Sequence, residues 1–136
     1  MSRRIRLDAN IILRFLCNDD PRQSPAAARL FQKAAVGAET LFVSTITISE
    51  VFYAFTSAYK LSRSEAAGKL LPLVRAGVVE FEEEDCLIET LRRVISENVD
   101  FGDVYLAAGA ARSQDLVASF DRDLRKFEDI QIYPLE

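Results

Sequence analysis

A chain of 136 residues, 49% hydrophobic and 28% charged, has the size and composition of one globular domain able to bury a sizeable core. Its formal net charge of −4 argues against a protein that coats nucleic acid by bulk electrostatics, although an acidic pocket needs only a local basic rim to draw a phosphate backbone inward. The absence of histidine excludes Ser-His-Asp and Cys-His nucleophilic systems and histidine-ligated zinc hydrolases.

The start, Met1-Ser2-Arg3-Arg4, leads into an amphipathic strand rather than a signal-peptide core. Ile5–Ala9 is the first of five short β-rich runs, and Asp8 sits at its end. Asn10–Cys17 reads as a short apolar helix capped by Asn10. Ser24-Pro25 opens the next helix, with serine at N-cap and proline in the first turn, and Gly37 closes it. The strand Leu41–Ser44 follows. Thr47–Tyr59 and Arg63–Arg75 form a helical pair joined by Lys60-Leu61-Ser62, with Gly77 ending the second. The strand Val78–Phe81 precedes Glu84–Glu97, which carries Leu87, Leu91, Val94 and Ile95 on one face. Alanine-rich Phe101–Ser113 is a helix suited to close packing on a sheet. The run ends with the strand Leu116–Phe120, a short helix Arg122–Phe127 and the strand Ile130–Tyr133.

Strands separated by helices favour a parallel sheet, because each return crossover must be long and right-handed. The chain therefore reads as one α/β domain over 1–136, a three-layer α/β/α fold with a central parallel sheet of about five strands. No apolar run approaches the roughly 18 residues needed to span a bilayer, so a cytoplasmic protein without membrane contact is expected. Cys17 and Cys86 can form at most one disulfide and cannot build a Cys₄ zinc site; buried reduced thiols are the simpler reading.

In such folds ligands collect at the carboxyl ends of the strands. Four acids fall just past a strand or at a helix entrance: Asp8, Glu50, Asp103 and Asp121. Each has an ordinary explanation. Thr47-Ile48-Ser49-Glu50 reads as a capping box, Asp100 caps a helix whose first turn holds Asp103, and Asp121 caps Arg122–Phe127. Asp8 is different if its strand is central and buried on both faces, because an ionised carboxylate there costs several kcal/mol unless compensated. Gathered carboxylates repel, and a divalent cation turns that repulsion into a ligand set. Oxygen donors suit Mg²⁺ or Mn²⁺. The more acidic run Glu82-Glu83-Glu84-Asp85 precedes a helix and reads as solvated surface. Neither a GxxxxGK phosphate loop nor a GxGxxG turn is present, which leaves metal-assisted phosphate chemistry as the main use of such a site. The basic residues nearest the acids in sequence are Arg14, Arg112, Arg122, Arg125 and Lys126.

Leu7-Asp8-Ala9-Asn10, Ser49-Glu50-Val51, Asp103-Val104-Tyr105-Leu106-Ala107-Ala108 and Ser119-Phe120-Asp121-Arg122-Asp123, in this order, resemble the motifs of the PIN domain, a metal-dependent ribonuclease fold. The resemblance covers residues 5 to 133. It implies that Asp8, Glu50, Asp103 and Asp121 ligate Mg²⁺ or Mn²⁺, with Glu50 a ligand or the proton acceptor for attacking water. Asn10, Ser119 and Asp100 would support them from behind. The size is similar to that of VapC-type toxins of type II toxin–antitoxin pairs. That implies cleavage of a tRNA or rRNA, a homodimer, and inhibition by a cognate antitoxin laid across the helices. Phe15, Leu16, Leu30, Phe31, Phe52, Phe55 and Tyr59 are candidate contacts for it or core residues. Two enzymatic alternatives remain: a housekeeping RNA-maturation nuclease, and a phosphoryl-transfer protein with an aspartate nucleophile. For the latter, Asn10 stands where a dehalogenase-like pattern needs a second aspartate. A non-catalytic interaction domain whose acids only cap helices is the third.

Overall fold

The computed structural model describes residues 3–135; Met1 and Ser2, part of the opening segment read above, and Glu136 lie outside them. The chain runs β1 (Arg4–Arg6), α1 (Ala9–Cys17), α2 (Gln23–Ala35), β2 (Thr40–Val43), α3 (Thr45–Ser57), α4 (Arg63–Arg75), β3 (Val79–Phe81), α5 (Glu84–Glu97), α6 (Phe101–Ser113), β4 (Leu116–Val117), a 3-10 turn (Arg122–Lys126) and β5 (Gln131–Ile132). Every strand pairing is parallel, as the alternation of strands and helices requires. The five strands divide between two ladders, β1-β2-β3 and β4-β5.

Leu41 and Val43 of β2 and Val79 and Phe81 of β3 are buried, while Glu80 between the latter two is exposed. The strands thus show the period of two that puts one face on the core. On the other face Arg4 and Arg6 lay their guanidinium groups over the Phe42 ring, 4.3 and 4.8 Å from its centroid. Arg4 also pairs with Glu80 at 3.4 Å. The helices close the core with fully buried Ile12, Ile48, Phe55, Leu70, Leu87 and Leu91.

This arrangement corrects the expectation for β1. It lies at the end of the three-stranded ladder, both its arginines are exposed, and Asp8 beyond it is exposed as well. The burial penalty assigned to Asp8 from sequence is therefore absent, because the arginines keep one strand face in water.

Three helix starts also differ. Asp8, not Asn10, caps α1, its Oδ1 accepting from the Ile11 N–H at 3.1 Å. Asn10 instead donates to Gln23 Oε1 at 3.3 Å, bridging α1 to α2. Asp20 accepts from the Arg22 and Gln23 N–H groups at 2.9 and 2.7 Å, which starts α2 ahead of Ser24 and leaves Ser24 buried inside the helix. Ser44 caps α3 through the Thr47 N–H, so the Thr47–Glu50 capping box does not form and Glu50 stands in the second turn, exposed. A reciprocal capping box forms instead at Ser62 and Glu65, opening α4. Gly37 and Gly77 end α2 and α4 with φ of +81° and +75°.

Cys17 and Cys86 are both free thiols, the first half-buried and the second buried. Among the described residues no helix is long and apolar enough to cross a membrane.

Candidate metal centre

The carboxyl ends of β1, β2 and β3 are brought level by the backbone. The Leu7 N–H donates to the Phe42 carbonyl and the Glu82 N–H to the Val43 carbonyl, each at 3.0 Å. Asp8, Ser44 and Glu82 therefore follow one another along the same edge. Glu82 is not idle surface: its Oε1 accepts from the Thr45 N–H at 3.0 Å, tying the end of β3 to the start of α3. The Thr45 hydroxyl in turn meets the Tyr105 hydroxyl at 3.1 Å, and the Phe52 and Phe101 rings lie 5.3 Å apart. These contacts hold the first turns of α6 against α3, and Asp103 projects from that part of α6.

Asp100 caps α6, its Oδ2 accepting from the Gly102 and Asp103 N–H groups at 3.1 and 3.3 Å. After β4, the Ser119 hydroxyl accepts from the Asp121 N–H and Asp121 Oδ1 accepts from the Asp123 N–H, each at 2.9 Å. Two successive tight turns result, and they swing Asp121 and Asp123 round to face Asp103. One carboxylate oxygen from each of the three lies within 4.8 Å of the others. Asp103 is half-buried and the other two are exposed. Burial, above all, raises the Asp103 carboxyl above its ordinary pKa; the negative charges of Asp100, Asp121 and Asp123 push the same way, and Lys126 opposes them.

Three convergent carboxylates suit a hard divalent cation. Mg²⁺ holds oxygens at about 2.1 Å, which sets neighbouring ligands about 3 Å apart and opposite ones about 4.2 Å apart. With the three oxygens within 4.8 Å of one another, side-chain rotation can bring them toward one such ion.

Of the acids singled out from sequence, the structure brings together Asp103 and Asp121, with Asp100 near enough to act on Asp103 by charge. Asp8 and Glu50 are not members of the group. Helical spacing puts Glu50 on the side of α3 opposite its buried stripe of Ile48, Val51, Phe52 and Phe55. Asp123 is the member that sequence reasoning passed over. Its signal was present in the Asp-x-Asp spacing, which only a tight turn converts into a shared site.

The basic residues divide in the same way. Arg14 pairs with Asp19 at 2.8 Å and bonds the Tyr59 hydroxyl, and Arg112 pairs with Asp85 at 3.4 Å. Among the described residues Arg122, Arg125 and Lys126 form no ion pair, and all three are exposed.

Parallel α/β topology with three convergent carboxylates beyond the strands is an arrangement able to hold a divalent cation. The sequence model of the PIN domain family matches residues 5–130, and the chain belongs to that family. PIN domains are generally metal-dependent nucleases that act on RNA, so the carboxylate cluster lies in a fold used for phosphodiester hydrolysis. No curated protein matches the chain.

Proposed function

We propose that this protein is an endoribonuclease hydrolysing RNA phosphodiester bonds with Mg²⁺ or Mn²⁺. The observation that carries the reading is the convergence of Asp103, Asp121 and Asp123 within 4.8 Å in a PIN domain. Asp103 and Asp121 are the principal ligands, Asp123 joins them, and Asp8 is the remaining candidate on the neighbouring strand edge. The bound ion supplies charge against the phosphate oxygens and lowers the pKa of water. The chain's own part is positional. Asp100 holds the start of α6, and with it Asp103, through two backbone bonds. Ser119 holds the Asp121 turn. Asn10 braces the Asp8 helix against α2. Glu50 is a ligand or the proton acceptor for the attacking water once RNA is bound.

The finer assignment is a VapC-type toxin with a cognate antitoxin, acting on tRNA or rRNA as a cytoplasmic homodimer. An apolar groove of about 460 Å³ between α1, α2 and α4, lined by Phe15, Leu16, Phe31, Pro72 and Leu73, supports a protein partner. Phe52 and Phe55 are buried and do not line it. A short upstream gene encoding a DNA-binding protein would favour the toxin over a housekeeping RNA-maturation nuclease.

One observation favours the non-catalytic reading: Asp8, Asp100 and Asp121 each cap a helical turn. Purified protein incubated with RNA in Mg²⁺ or Mn²⁺ separates the two. Cleavage that disappears in Asp103→Asn and Asp121→Asn is expected, and undiminished cleavage by both variants removes the nuclease reading.

A further inference from the structure

Phe120 is the most exposed large apolar side chain among the described residues, with 91% of its surface open to solvent. The exposure is built in. The Ser119 hydroxyl bonds the Asp121 N–H across Phe120, and Asp121 bonds Asp123 immediately after, so the ring stands at the apex of a turn. Asp121 and Asp123 face Asp103, which puts Phe120 next to the carboxylate cluster in sequence and in space. The 3-10 turn that follows carries Arg122, Arg125 and Lys126, all exposed and without ion pairs among the described residues. An exposed aromatic face, two of the three clustered carboxylates and three cations without ion pairs within the seven residues from Phe120 to Lys126 match one kind of polymer. It has flat bases and a negatively charged backbone.

We propose that Phe120 stacks on one unpaired base of a single-stranded RNA segment, with Arg122, Arg125 and Lys126 holding the adjoining phosphates beside Asp103, Asp121 and Asp123. This deepens the nuclease reading and rests on it for the nature of the polymer. A paired base keeps its faces covered by its neighbours and has none to offer the ring, so the site selects loops and single strands over duplex. Exposed Arg122, Arg125 and Lys126 follow the ring directly and form no ion pair among the described residues, and that charge beside an aromatic face favours a nucleic acid over a protein partner.

The test uses the full chain with Asp103→Asn, so that RNA stays intact, and measures fluorescence anisotropy with a short labelled single strand in Mg²⁺. Phe120→Ala is expected to weaken binding by about 5- to 150-fold, the range for loss of one base–aromatic stack. Phe120→Trp is expected to keep the affinity and Phe120→Leu to behave like alanine, because leucine is apolar without a π-face. Binding to a blunt duplex of equal length should not change. Unaltered single-strand affinity in Phe120→Ala, or full affinity in Phe120→Leu, overturns the proposal. So does a change of oligomeric state with RNA affinity intact, which would assign the ring to a protein contact. If the chain with Asp103 in place cleaves RNA regardless of residue 120, stacking fails and the nuclease reading stands. If it cleaves no RNA yet binds single strands through Phe120, the nuclease reading fails and stacking stands.

Discussion

Asp103→Asn should stabilise the metal-free protein and, in the same stroke, remove its response to metal. Asp103 makes no hydrogen bond or ion pair through its carboxylate among the described residues, and it faces Asp121 and Asp123 with ligand oxygens within 4.8 Å. At that separation two unit charges repel by about 0.9 kcal/mol in water-like surroundings and about 3.5 kcal/mol at an effective dielectric of 20. Since Asp121 and Asp123 are exposed, the lower figure applies to each contact. Rotation of the free carboxylates away from one another reduces it further. Against the relief stands the loss of a favourable first-turn charge on α6, worth about 0.3–1 kcal/mol. The net gain is about 0.5–1.5 kcal/mol, and each kcal/mol moves Tm by about 3–5 °C for a domain of this size.

Thermal melts in EDTA and through a Mn²⁺ titration read both effects. At ten times its Kd a cation stabilises the wild type by about 1.4 kcal/mol, whereas the amide variant lacks a ligand and gains little. The two curves therefore cross as metal is added. The pH dependence has a definite sign too. Asp103 is raised in the folded state, so metal-free stability falls as pH climbs from the unfolded carboxylate value through the folded one, then levels. Asp103→Asn loses that slope. A variant less stable than wild type in EDTA, with an unchanged Mn²⁺ shift, would refute the reasoning.

Asp8→Ala should cost about 1 kcal/mol through the lost α1 cap, while Asp8→Asn keeps the cap. Chemical denaturation of the pair separates a structural loss from any loss of RNA cleavage, and equal stabilities would show that the cap contributes nothing. Asp129 is held below its ordinary pKa chiefly by the Arg93 hydrogen bond, which joins α5 to the segment before β5. Its contribution is full above the unfolded carboxylate pKa and fades as pH falls through the lowered folded value. Asp129→Asn should lose about 1 kcal/mol at neutral pH after solvent screening, and part of the acid-denaturation step with it; urea melts at pH 7 and pH 3 check both.

Some helix limits were legible outright. Arg63–Arg75, Glu84–Glu97 and Phe101–Ser113 are the same in sequence and structure; Asp100 caps the last as expected, a Ser62–Glu65 box opens the first, and the middle one starts without a side-chain cap. Where two capping residues stand close together, local chemistry does not choose between them. Ser44 and Thr47 are both hydroxyl residues, and the choice fell to Ser44 because β2 leaves its ladder at Val43. Asp8 prevailed over Asn10 for the same reason, the strand ending at Arg6. Four of the five strands came out shorter than their β-rich runs because pairing stops where a partner strand stops, while β2 kept its length and moved back by one residue. The roles of Glu82 and Asp123 depended on contacts no periodicity encodes: a bond across to α3 and a turn that reverses the chain.

Capping and metal ligation, which look like rival explanations in the sequence, are compatible in the structure. A carboxylate has two oxygens and about four lone-pair directions, and a backbone cap occupies only part of that capacity. Asp121 spends Oδ1 on the Asp123 N–H, and Asp8 spends Oδ1 on the Ile11 N–H. In each case the second oxygen is left without a bond among the described residues. The cap fixes the carboxylate's orientation before any ion arrives, which lowers the conformational cost of binding one. Asp103 differs, half-buried and uncapped, with its own pKa raised by burial and by its neighbours. Its carboxylate, like that of Asp123, accepts no backbone bond among the described residues, so a favourable charge in the first turn of α6 is its whole local return for facing Asp121, and on the proposed reading a cation supplies the rest.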